Sequence, residues 1–102
     1  MKRGEIWWAD LDKRRPVVLL SRPEAYAVRQ MVIVAPVSTT TRGFAVEVKV
    51  GKKEGLPKSG VVNCDWLMTI AKSSLSERVG PLPAAKLAQL DRALVFALGL
   101  GE

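Results

Sequence analysis

The run Pro16-Val17-Val18-Leu19-Leu20-Ser21 follows directly on two cations, Arg14 and Arg15, and it limits the fold more than any other stretch. Proline has no N–H to give to a ladder and is tolerated at a strand's first residue, so a strand is predicted to start at Pro16 with Arg15 at its mouth. A second apolar run, Met31 to Val37, ends in four hydroxyl residues, Ser38, Thr39, Thr40 and Thr41, before Arg42 and Gly43. It is nearly all apolar, as a strand buried on both faces is, and Pro36 near its end predicts an edge or a bulge there. One short connection separates the two runs. They are therefore expected as neighbours in one sheet, with a guanidinium and a row of hydroxyls facing the same groove.

The remaining elements are read around that pair. Gly4 to Leu11 is a strand by its aromatic and β-branched content. Its adjacent Trp7 and Trp8 must point to opposite faces. Either one is core and the other lies at a groove or partner surface, or both are buried between packed layers. Arg22 to Ala27 places Pro23 and Glu24 as in a first helical turn, which predicts a short helix or turn. Ala45 to Val50 alternates cleanly, with Val46, Val48 and Val50 inward and Glu47 and Lys49 outward. Gly51 to Gly60 is a turn-rich loop, whose lysines read either as a solvated connection or as an extension of a phosphate-binding surface.

Val61 to Asn63 and Trp66 to Ile70 read as two short strands or one bent strand. Ser76 to Leu82 is expected as a loop. Pro83 then opens a helix over Ala84 to Leu98, where Leu87, Leu90 and Leu94 keep helical spacing and Gly99 stops it. The order predicts a mainly β protein: one domain over residues 1–102, a small SH3-like antiparallel barrel or strongly bent sheet of five or six strands, closed by a C-terminal α-helix.

Sixteen Lys and Arg stand against ten Asp and Glu, a formal charge of +6. That balance suits a polyanion or an acidic protein partner, and equally a merely soluble basic surface. One cysteine, Cys64, and no histidine exclude a disulfide framework and a zinc site. They also remove the usual acid and base near neutral pH, which leaves catalysis to Arg, Lys, carboxylates or hydroxyls. No charge-free apolar stretch approaches the ~18 residues of a membrane span and no signal-like segment opens the chain, so a soluble, cytoplasmic protein is expected.

These residues carry a family resemblance. Lys2-Arg3-Gly4-Glu5-Ile6-Trp7-Trp8-Ala9-Asp10-Leu11, Arg15-Pro16-Val17-Val18-Leu19-Leu20-Ser21, Ala35-Pro36-Val37-Ser38-Thr39-Thr40, Gly60-Val61-Val62, Asp65 with Thr69-Ile70, and the leucine-spaced terminal helix together resemble the MazF/PemK-type toxins of bacterial toxin–antitoxin systems. The resemblance implies a CcdB/PemK-like barrel that forms a homodimer and cleaves single-stranded RNA with no metal or other cofactor, under the control of a cognate antitoxin. It maps catalysis onto Arg15 and Ser38, with Thr39 as the adjacent alternative hydroxyl, and the implied reaction is attack by the ribose 2′-OH, leaving a 2′,3′-cyclic phosphate and a 5′-OH. Around them Lys13, Arg14, Thr40, Arg42 and Trp66 are the candidate RNA contacts.

The chemistry agrees, since a forked, permanently charged guanidinium stabilises the charge of in-line attack without a histidine. Arg15 as a plain edge charge and Ser38 to Thr41 as a strand exit bonding its own backbone are the simpler readings. Two departures from the family stand out. Only Asp12, Lys13 and Arg14 precede the Arg-Pro pair, where the family has a longer loop, so Asp12 is the one carboxylate there. Trp66 replaces a frequent Gln and is either a core residue or a platform for a base. A non-catalytic toxin that binds DNA gyrase and a plain RNA-binding module are the other two function classes.

Overall fold

The computed structural model describes residues 1–101. Its elements are β1 (Glu5–Asp10), β2 (Arg14–Leu19), a one-turn helix α1 (Ala25–Val28), β3 (Met31–Ser38), β4 (Glu47–Val50), β5 (Gly60–Asn63), β6 (Met68–Ala71), β7 (Leu75–Pro81) and α2 (Ala84–Leu98). The strands form one antiparallel, curled half-barrel in the order β4-β5-β3-β2-β1-β7, with β6 also on β3. The SH3-like class expected from the sequence is thus the one observed, and α2 packs along β4. No helix among the described residues is long and apolar enough to cross a membrane.

The two prolines mark places where a ladder is one-sided. β2 begins two residues before Pro16, at Arg14, because β1 pairs with it from Asp10↔Arg14 to Ile6↔Val18. Pairing of β2 with β3 begins only at Val17↔Pro36, so Pro16 has a strand on one edge alone. Pro36 lies neither at a sheet edge nor in a bulge. On the edge of β3 away from β2, Met31 to Val34 pair with β6 and Val37 to Ser38 with β5. Pro36 falls in the gap between those partners, where a missing N–H loses no ladder bond. Because β5 and β6 engage different ends of β3, they are two strands and not one bent strand.

Two apolar clusters lie on the two faces. Ile6, Val18, Ala35, Val48 and Val62 pack under Leu90 and Ala93 of α2 on one face. Ala9, Val17, Leu19, Val32 and Val34 pack with Tyr26, Ile70 and Leu75 on the other. The alternation of Val46, Val48 and Val50 is observed as read, all three buried. Burial of β3 on both faces is not: Met31 and Ile33 are exposed, since they share the face of Ala35 and Val37 but run out beyond the helix-covered cluster. Both tryptophans of β1 are half-buried. Trp7 leans on the second cluster and donates its indole N–H to Glu5 Oε1 at 3.1 Å, while Trp8 carries the Arg14 guanidinium 4.4 Å above its ring.

Three boundaries differ from the sequence reading. Ser76 to Pro81, read as loop, belongs to β7, an edge strand on β1 whose ladder carries register shifts. Its residues are mostly exposed, so no apolar alternation announces it. Trp66 lies in the turn between β5 and β6, and β6 starts only at Met68. Pro83 caps α2 from just outside, and Gly99 ends the helix in a left-handed conformation, φ +68°, as the stop signal predicts.

Candidate active site

The groove forms where three chain segments converge: the β1–β2 connection, the end of β3 with the residues that follow, and the turn after β5. Register puts its two main groups together. Val17 is the last residue of β2 paired with β3, opposite Pro36, and two residues beyond that pair on either strand Arg15 and Ser38 line the same groove. A groove of about 660 Å³ is lined by Arg15, Ser38, Thr40, Arg42 and Trp66, together with Asp12, Glu47, Asn63 and the apolar Leu11, Leu67 and Met68. Trp66 is 70% exposed at its margin, which overturns the reading of it as a core tryptophan. The turn Asn63 to Asp65, closed by the Asp65 N–H on Asn63 Oδ1 at 2.9 Å, leads the indole out of the sheet.

The other three candidates lie elsewhere. Thr39 alternates with Ser38 and lines pockets on the opposite side. Arg14 alternates with Arg15; it sits over Trp8 and pairs with Glu77 at 2.6 Å. Lys13 lines the same side as Arg14 and Thr39. The structure therefore brings Ser38, and not Thr39, to Arg15.

Arg15 is held from within the groove. Its Nε and Nη2 donate to Asp12 Oδ1 and Oδ2 at 3.3 and 3.4 Å, a long, exposed ion pair. The Arg15 hydrogen bonds, helped by the Lys13 N–H, hold the Asp12 carboxyl below the usual carboxylate range. Ser38 Oγ accepts the Thr40 N–H at 3.1 Å, the strand-exit bond expected of such a residue, and its own proton stays available to donate.

Glu47 has a role that outward placement on a strand did not announce. Its carboxylate accepts the Thr41 hydroxyl at 3.2 Å, the Arg42 N–H at 3.1 Å and the Gly43 N–H at 2.9 Å, pinning the segment that carries Thr40 and Arg42 over the groove. Partial desolvation pushes its pKa up, but the Arg42 and Gly43 N–H groups and the Thr41 hydroxyl outweigh that and lower it. Both groove carboxylates are thus firmly ionised and poor proton acceptors near neutral pH. Cys64 offers no nucleophile, because burial, followed by the nearby Asp65 charge, pushes its thiol up to about 11. Among the described residues no cluster of three or more His, Cys, Asp or Glu side chains could hold a metal ion.

Gly60 sets the position of Ser38. A Cβ on Gly60 would stand 2.5 Å from the Ser38 carbonyl oxygen, so β5 reaches the end of β3 only without a side chain there. Gly60→Ala is expected to destabilise the fold by about 1–3 kcal/mol, as overpacking does, and to lower activity by displacing Ser38. Chemical denaturation beside a cleavage assay checks this; wild-type values in both would show that the backbone yields at no cost.

The family profile described as "PemK-like, MazF-like toxin of type II toxin-antitoxin system" matches residues 2–98. The chain belongs to this toxin family. MazF3 of Mycobacterium tuberculosis, named an endoribonuclease, is 42% identical over 91 residues, covering 89% of this toxin and 84% of the relative. Among solved structures, the M. tuberculosis toxin MazF-mt6 superposes with a TM-score of 0.87 at 39% identity, over 93% of this toxin and 96% of that chain. A mycobacterial endoribonuclease in complex with its cognate antitoxin gives 0.89 at 28% identity, over 98% and 96%. The toxin is accordingly an endoribonuclease.

Proposed function

We propose that this toxin cuts single-stranded RNA, with sequence preference and without a metal ion, by transesterification. The 2′-oxygen forms a bond to the adjacent phosphorus as the bond to the 5′-oxygen breaks; the 2′-OH gives up its proton and the leaving oxygen gains one. The products are a 2′,3′-cyclic phosphate and a 5′-OH. The observation that carries this reading is the placement of Arg15 beside Ser38 in one open groove.

Arg15 exchanges Asp12 for the scissile phosphate and stabilises the charge that builds on its non-bridging oxygens. Ser38, its oxygen already occupied by the Thr40 N–H, donates its proton to the same phosphate. Thr40 and Arg42 hold the neighbouring nucleotide, and exposed Trp66 stacks a base, a contact of about 1–3 kcal/mol. Lys13, Arg14 and Thr39, on the far side, meet RNA outside the groove. Cleavage of messenger RNA in the cytoplasm would halt translation and growth. A cognate antitoxin is the expected inhibitor, as relatives solved with theirs suggest. The exposed Phe96, Leu98 and Leu100 at the end of α2 favour a homodimer.

The test is incubation with a long unstructured RNA in excess EDTA, with mapping of cut sites and end groups. Recurrent cuts ending in cyclic phosphate are expected. Ser38→Ala should slow them about ten- to a hundredfold, the value of one hydrogen bond to a charged group, while Thr39→Ala leaves the rate on short RNA unchanged. The reverse order would move the role to Thr39. Intact RNA with folded protein would favour the gyrase-binding reading instead.

A further inference from the structure

The segment Ser38 to Thr41 is a wall with two used sides. Ser38 and Thr40 face the groove of Arg15, whereas Thr39 and Thr41 face a second pocket of about 620 Å³. Four cations surround that pocket: Lys49 from β4, Lys52 and Lys53 from the turn after it, and Lys86 from α2. Among the described residues none of the four has a carboxylate within ion-pair distance. The acid in the pocket, Glu54, is engaged by the Gly51 N–H at 2.7 Å, and the Lys86 ammonium is fixed by the Lys49 carbonyl. Four ammonium groups against the single Glu54 carboxylate leave the cavity with an excess of positive charge that a bound anion offsets.

We propose that this lysine pocket binds backbone phosphates of the RNA that flank the scissile bond, after the strand crosses the Ser38–Thr41 wall. The proposal rests on the ribonuclease reading above. RNA is favoured over an acidic protein because neither an aromatic side chain nor an arginine lines the pocket, and these are the usual anchors of protein interfaces. Phosphates need only the ammonium charges, with the Thr39 hydroxyl as a further donor, since the Thr41 hydroxyl already donates to Glu47. The pocket reads no base; it adds affinity and fixes the direction in which RNA leaves the groove.

The experiment compares the toxin with Lys52→Gln/Lys53→Gln, whose side chains lie on an exposed turn and make no hydrogen bond in the fold. Binding is measured against salt for a long RNA carrying a 2′-deoxyribose at the mapped cut. The slope of log affinity against log salt should fall by about 1.4, about 0.7 for each phosphate no longer neutralised. Adding Lys49→Gln/Lys86→Gln should lower it about as much again. Cleavage of a short oligonucleotide that fills only the groove should keep its wild-type rate in the double variant. An unchanged slope would overturn the proposal, as would a loss of affinity confined to a polyglutamate peptide, which would assign the lysines to a protein. Wild-type toxin that leaves the long unstructured RNA intact would overturn the ribonuclease reading itself, so the two failures are separable.

Discussion

Arg15→Ala is expected to slow RNA cleavage by about 10²–10³-fold, the loss found when one preorganised donor to a developing oxyanion is removed, while the protein melts as the wild type does. The separation of the two effects follows from where the residue sits. Its side chain lies in the groove, 42% exposed, and its one partner is the exposed Asp12 at long distance, so little of the fold depends on it. During attack, by contrast, Ser38 supplies a single donor and does not replace its fork. Lysine at position 15 should restore only part of the rate, since an ammonium gives the charge without the paired geometry. Single-turnover cleavage beside a thermal melt measures both. Wild-type cleavage by a folded Arg15→Ala protein would remove the guanidinium from the mechanism.

The largest effect on stability is expected at Leu90. It is fully buried where α2 meets the sheet, in one cluster with Ile6, Val18, Ala35 and Val62. Leu90→Ala removes buried methyl groups and leaves a cavity between helix and strands that are already paired, at about 2–5 kcal/mol. Against the ~5–15 kcal/mol that holds a domain together, such a variant is marginal. Urea unfolding should show a lower midpoint at unchanged slope. An unmoved midpoint would mean that α2 unfolds independently of the barrel.

What the sequence revealed and what it hid divide along physical lines. The strand over Glu47 to Val50 and the helix over Ala84 to Leu98 were legible because each buries a regular stripe: valines at every second position, leucines at helical spacing. Strand β7 was hidden because an edge strand with one half-covered face needs no such stripe. Trp66 stayed open between core and groove because large aromatics tend to be buried; the local turn at Asn63, which leads it outward, decides for the groove. The neighbourhood of Arg15 and Ser38 could be read from one short connection between antiparallel runs. The choice between Ser38 and Thr39 could not, because it depends on the Val17↔Pro36 register. Glu47 stayed hidden since its task is to accept two N–H groups and a hydroxyl from a loop four to six residues back, bonds that strand periodicity does not encode.

The two-sided wall has a consequence for how the chain can vary. Because Ser38 and Thr40 serve one surface and Thr39 and Thr41 the other, a hydroxyl residue can be exchanged for another without redistributing the chemistry. Adding or deleting one residue there would shift Thr41, Arg42 and Gly43 against the Glu47 carboxylate that holds all three, and so displace Thr40 and Arg42 from the groove. The segment is thus forgiving in its spelling and strict in its count, because its length decides which of its residues reach that carboxylate.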